Sequence, residues 1–91
     1  MAETAEARLK RMRMRSWRRG TKEMDLVFGP WADAHLAGLD GATLDLFDAL
    51  LEENDQDILP WVLGQHASPA VYADLIGQIA AFARARLTPR T

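Results

Sequence analysis

The residues best placed to do chemistry lie in one stretch, Ser16-Trp17-Arg18-Arg19-Gly20-Thr21-Lys22-Glu23-Met24-Asp25. Two guanidinium groups precede a glycine, and two carboxylates follow it. An arginine presents several donors in a rigid fork that matches carboxylates and carbonyls, while a glutamate accepts. A glycine between them lets another backbone approach where a side chain would clash. The stretch also divides the charge. Arg8, Lys10, Arg11, Arg13, Arg15, Arg18, Arg19 and Lys22 crowd the first part of the chain, and no Lys or Arg occurs from Met24 to Ala83. That second part carries acidic groups from Asp25 to Asp74, and the formal net charge of −2 hides the division.

Other combinations point to less. His35 and His66 sit in no His-x-x-x-His or Glu-x-x-His pattern, so they do not read as metal ligands. His35 reads as packed at a helix end and His66 as a loop residue. Asp45, Asp48, Glu52 and Glu53 could bind a cation or do acid–base work, but they read first as a solvated acidic helix face. Ser16, Thr21, Thr43 and Ser68 have no base at motif spacing. The chain lacks G-x-G-x-x-G and G-x-x-x-x-G-K-[ST]. Without cysteine there is no disulfide framework, zinc-thiolate site or Cys nucleophile. The chain therefore reads as a non-enzyme, with no catalytic or metal residues and no cofactor held by its own fold. No apolar run approaches the roughly 18 residues of a membrane span. The Arg-rich start superficially resembles a transit peptide, but Glu3 and Glu6 argue against one. The expected location is cytoplasmic, with no membrane partner.

The elements that position these residues are helical. Thr4 can cap a helix over 5–19, with Leu9, Met12 and Trp17 broadly on one side. Gly20 is suited to end it, and Arg18 and Arg19 suit its last turn. Gly20 or Thr21 can cap a helix over 21–37, kinked near Pro30. There Met24, Val27, Phe28, Trp31 and His35 form a stripe that stays in phase across Gly29-Pro30. Asp40 caps a helix over 41–53 with Leu44, Phe47, Leu50 and Leu51 inward, and Asn54 can close it. Asp55 or Asp57 caps a short helix over 56–63, apolar nearly all round, that ends at Gly64. It is either core or contact surface. Ser68-Pro69 begins a helix over 69–86 with Val71, Tyr72, Leu75, Ile76, Ile79, Phe82 and Ala83 on one broad face, stopped by Thr88-Pro89. The fold class is all-α: one domain over 1–91, a compact bundle of about five helices.

Arg19-Gly20-Thr21-Lys22-Glu23 fits Arg-Gly-x-x-Glu, and the run extends to Arg18 and Asp25. A second run, Leu50-Leu51-Glu52…Asp55-x-Asp57-Ile58-x-x-Trp61, follows at the expected separation. Together they resemble the small succinate dehydrogenase assembly factors, also called flavinators. Thr21, Met24 and Ile58 depart from that pattern without touching its charged positions. The resemblance implies a five-helix chaperone that binds the flavoprotein subunit of succinate dehydrogenase, with fumarate reductase as an extension. It would promote covalent attachment of FAD to a histidine of that partner. It implies that Arg19, Gly20 and Glu23 form the contact motif, with Arg18 and Asp25 beside them; the physical expectation is that Arg19 pairs with a carboxylate or carbonyls of the partner. The competing reading is a nucleic-acid or regulatory binding module using the basic N-terminal arm. Cations distributed around the helix and an acidic body disfavour nucleic acid.

Overall fold

The computed structural model describes residues 2–87, with the Leu87 side chain excepted. Its helices are α1 (Ala5–Trp17), α2 (Lys22–His35), α3 (Gly41–Leu51), α4 (Asp55–Val62) and α5 (Ala73–Leu87). Short 3-10 turns, Leu36–Gly38 and Ala70–Tyr72, follow α2 and precede α5. No strand occurs among the described residues, in agreement with the all-α reading.

The starts of α1 to α4 have a local cause. Thr4 accepts from the Ala7 N–H, Thr21 from Met24, Asp40 from Thr43 and Asn54 from Gln56. Each side-chain oxygen satisfies one of the amides that a helix N-terminus leaves unbonded. Asn54 therefore opens α4 rather than closing α3, and α4 begins at Asp55 instead of 56. Thr21, not Gly20, is the cap of α2. Ser68 does not cap α5: Pro69 precedes the 3-10 turn and no side-chain cap bond forms there.

The ends also move. α1 stops at Trp17, two residues before 19, because Arg18 leaves helical geometry and the Arg19 N–H turns to the Asp25 carboxylate at 2.6 Å. α2 stops at His35, and residues 36–38 tighten into the 3-10 turn. Pro30 sits inside α2 without ending it. α3 stops at Leu51 rather than 53 because its last carbonyls have side-chain partners, described below. The expected stop at Thr88-Pro89 lies outside the described residues.

α2 lies at the centre. α1 runs antiparallel to it, with Arg13 3.5 Å from Asp33 and the Trp17 indole against Gly29. α5 lies along another side, where His35 meets the edge of Phe82 at 5.2 Å. The expected stripe of α2 is buried at Met24, Val27, Phe28 and Trp31. Phe47 of α3 completes an aromatic centre, 5.7 Å from Phe28 and 5.0 Å from Trp31. His35 stacks on Trp31 and its Nδ1 lies 3.1 Å from the Trp31 carbonyl, the helix-end role expected of it. Ile58 and Val62 of α4 join the core, while Leu63 is exposed. Val71 is also exposed, contrary to expectation, because the 3-10 turn rotates it away from the face that buries Tyr72, Leu75, Ile76 and Ile79.

The face of α1 opposite α3 holds the main correction to the charge reading. Arg8, Arg11 and Arg15 recur at i, i+3, i+7, as do Asp45, Asp48 and Glu52, so each set lines one helix face. Arg8 bonds Asp45 at 2.7 Å and Asp48 at 3.2 Å, Arg11 bonds Asp48 at 2.8 Å, and Arg15 bonds Glu52. The acidic face of α3 is thus paired with the basic face of α1, not merely solvated. Hydrogen bonds from Arg11 hold the Asp48 carboxyl below the usual carboxylate range, against a partial desolvation that opposes it.

Candidate functional site

The site forms where the corner Arg18–Thr21 meets the junction between α3 and α4. Gly20 has φ +103, a region that L side chains rarely adopt, and this is the local reason for a glycine. A Cβ placed on it would meet nothing within 4 Å. Its outer face is therefore open, and the backbone there is bare.

Arg19 is the anchor of the corner. Its side chain is only 6% exposed. Nε and Nη2 donate to Asp55 at 2.9 and 2.6 Å, Nη1 donates to the Leu51 carbonyl at 2.6 Å, and Nη2 to the Glu53 carbonyl at 3.1 Å. The guanidinium also lies 5.3 Å from the centre of the Phe28 ring. One cation thus covers carbonyls at the α3 C-terminus and a carboxylate in the first turn of α4, positions that the helix dipoles favour for each charge. The fork expected to meet a carboxylate or carbonyls of a partner is bonded to Asp55 and to two carbonyls of the same chain. Asp25 is likewise committed, accepting the Arg19 N–H.

Arg15 donates Nη2 to the Leu51 carbonyl at 3.1 Å beside its Glu52 pair. The Tyr72 hydroxyl donates to Glu53 at 3.1 Å, joining the 3-10 turn before α5 to the same junction. Burial first, then that neighbouring carboxylate, pushes the Tyr72 hydroxyl above its ordinary pKa. Around these fixed groups lies an open groove of about 450 Å³, bounded by Arg18, Gly20 and Thr21 on one side and Glu52–Gln56 on the other.

The five residues singled out in the sequence therefore divide. Arg19 and Asp25 face inward and set the corner. Arg18, Gly20 and Glu23 are exposed, and neither Arg18 nor Glu23 makes a side-chain hydrogen bond or ion pair among the described residues. Asp55, in the second run, is brought directly against the first. Sequence reasoning placed both runs but not this bond. Ser16 was also missed as a buried group: it lies on the Leu9-Met12 stripe at i+7 and i+4, fully buried, donating to the Met12 carbonyl at 2.8 Å.

Among the described residues no helix is long and apolar enough to cross a membrane. Fold and site together define a small all-α protein built round a clamped Arg-Gly corner. The family described as flavinator of succinate dehydrogenase matches residues 10–83. The chain belongs to that family. It is similar to three proteins each called succinate dehydrogenase assembly factor 2, mitochondrial. That of Mycosarcoma maydis is 38% identical over 72 residues, 79% of this chain and 30% of the relative. That of Meyerozyma guilliermondii is 41% identical over 59 residues, 65% of this chain and 44% of the relative. That of Schizosaccharomyces pombe is 36% identical over 67 residues, 74% of this chain and 48% of the relative. The chain thus spans less than half the length of each. No solved structure matches it significantly.

Proposed function

We propose that the chain is an assembly factor that binds the flavoprotein subunit of succinate dehydrogenase, and by extension of fumarate reductase, and promotes covalent FAD attachment there. The observation that carries this reading is the corner itself. A bare glycine backbone at φ +103 stands between an exposed Arg18 and an exposed Glu23, held from behind by Arg19. A partner surface can reach Gly20 closely, while Arg18 donates to its carboxylates or carbonyls and Glu23 accepts from its donors. Rigid capture of this kind would hold the flavoprotein's domains so that flavin and receiving histidine stay in attack geometry. FAD belongs to the partner, and the flavin supplies the bond-forming chemistry.

The nucleic-acid reading loses its support in the pairing of the basic arm. Arg8, Arg11, Arg13, Arg15 and Arg19 are all engaged with carboxylates of this chain. The matched relatives are mitochondrial by name; for this chain cytoplasmic remains the expected location, checked by cell fractionation.

The test is to express the flavoprotein with and without this chain and to compare flavin fluorescence of the denatured subunit in a gel. Fluorescence that depends on the chain is the expected result. Equal fluorescence in both, with no saturable binding to the apo-flavoprotein at physiological salt, overturns the proposal.

A further inference from the structure

We infer that Asp55 is a positioning residue for the corner: through Arg19 it makes the α3–α4 junction the template on which the Gly20 turn is set. This rests on the docking role proposed above and adds a second element to it.

Little else holds the corner. Residues 18–21 bridge two helices with few backbone bonds of their own. Arg18 N–H reaches the Arg15 carbonyl at a long 3.4 Å, and Asp25 N–H reaches the Thr21 carbonyl at 3.0 Å as part of α2. Gly20 sits between them in a conformation that glycine adopts as one of several. What fixes it is residue 19 from both ends. Its N–H is tied to Asp25, and its guanidinium is tied to Asp55 and to the carbonyls of Leu51 and Glu53. The carbonyls accept wherever a donor is offered. Among the described residues Asp55 supplies the carboxylate paired with the guanidinium, using a single oxygen for both Nε and Nη2. With Arg19 nearly buried, that carboxylate decides whether the fork stays in place.

Asp55 lies far from Gly20 in sequence, in a run that contact with a partner would not by itself require to be acidic. Its side chain is 18% exposed and committed to Arg19, so a direct role toward a partner is not what the geometry offers. If the corner without the clamp holds its docking conformation only about one-tenth of the time, the apparent Kd rises about ten-fold.

Asp55→Asn leaves a buried guanidinium without its counter-charge and risks the fold. The decisive variant is therefore the double replacement Arg19→Met/Asp55→Leu, because exchanging a buried ion pair for apolar groups of similar size commonly preserves stability. Asp48→Asn serves as control, since it disturbs an ion-pair network elsewhere. Binding to the apo-flavoprotein and amide hydrogen exchange of Arg19 and Met24, whose N–H groups are bonded to Asp25 and Thr21, in the free protein are measured together. The expected result is wild-type helix content, about ten-fold or greater loss of affinity and faster exchange at the corner in the double variant, with neither affinity nor corner exchange changed in Asp48→Asn. Asp55→Glu should recover part of both. Wild-type affinity in the folded double variant overturns the inference. So does lost affinity with unchanged corner exchange, which would make Arg19 a direct contact. If the double variant does not fold, Asp55→Glu decides on the same two readouts: affinity that changes without corner exchange overturns the inference. Failure of the wild-type chain to bind the flavoprotein overturns the docking role instead.

Discussion

Gly29 offers a prediction whose sign depends on one neighbour. A Cβ built there would lie 2.3, 2.5 and 2.6 Å from Cδ2, Cε2 and Cε3 of Trp17. The indole lies flat on the α2 backbone, with Nε1 3.2 Å from the Asp33 carboxylate oxygens and the residue 38% exposed. Ordinary carbon contacts are about 3.5 Å or more, so Gly29→Ala must move the ring by over about 1 Å. If about 100 Å² of indole contact is at stake, at about 25 cal/mol per Å², a displacement that forfeits half or more costs about 1–2.5 kcal/mol. The strained Nε1–Asp33 bond adds about 0.5 kcal/mol. Alanine in a helix interior returns about 1 kcal/mol over glycine. The net is a loss of about 1–2 kcal/mol in the wild-type background. In a Trp17→Ala background the obstacle is gone, and the same change should stabilise by about 1 kcal/mol. Urea unfolding followed by helical circular dichroism at 222 nm gives the four free energies of the cycle. A Gly29→Ala that stabilises the wild-type chain, or a cycle with no coupling, refutes the reasoning.

Glu23→Gln should leave stability within about 0.5 kcal/mol, because Glu23 is exposed and unpaired, yet weaken capture of apo-flavoprotein in a pull-down or titration. Gly20→Ala should cost about 1–2 kcal/mol from backbone conformation alone, since no atom opposes the new Cβ. Gly20→Arg should in addition abolish complex formation while far-UV circular dichroism keeps most of the helix signal. Asp48, whose folded pKa is depressed, contributes stability above the ordinary carboxylate value of about 3.9 and loses it as pH falls through the lower folded value. Asp48→Asn should therefore flatten the acid limb of a stability-versus-pH curve measured in urea, leaving the rest of its shape unchanged.

How much of this was legible beforehand depends on the range of the interaction. The stripe Met24-Val27-Phe28-Trp31 and the caps Thr4, Thr21 and Asp40 are local, and local spacing announces them. Helix ends were placed too late at Arg19 and Glu53 because α1 stops where the Arg19 N–H turns to Asp25, across the corner, and the last carbonyls of α3 are taken by an arginine 32–34 positions away. The same blindness hid the bond between Arg19 and Asp55. A motif displays an arginine but not whether an aspartate in another motif has already claimed it. The matched i, i+3, i+7 spacing of Arg8-Arg11-Arg15 and Asp45-Asp48-Glu52 was present in the sequence, yet only the packing of α1 beside α3 makes the two sets one feature. Trp17 against Gly29 had no signal, because a glycine in a helix does not name what lies on it.

The pairing of α1 with α3 also bears on how fast the protein meets others. A basic arm held apart from an acidic body would project a field that steers diffusing partners over a Debye length, about 8 Å at physiological salt. Here each positive end lies within hydrogen-bond reach of its negative one, with the same offset of 37 residues at Arg8–Asp45, Arg11–Asp48 and Arg15–Glu52. These three pairs cancel at short range, which weakens the field of the arm. Encounters should then proceed at the rates of unsteered docking, about 10⁵–10⁶ per molar per second, with a shallow dependence on ionic strength. Partner choice is left to the shape and few free charges of the corner, which are read only after contact.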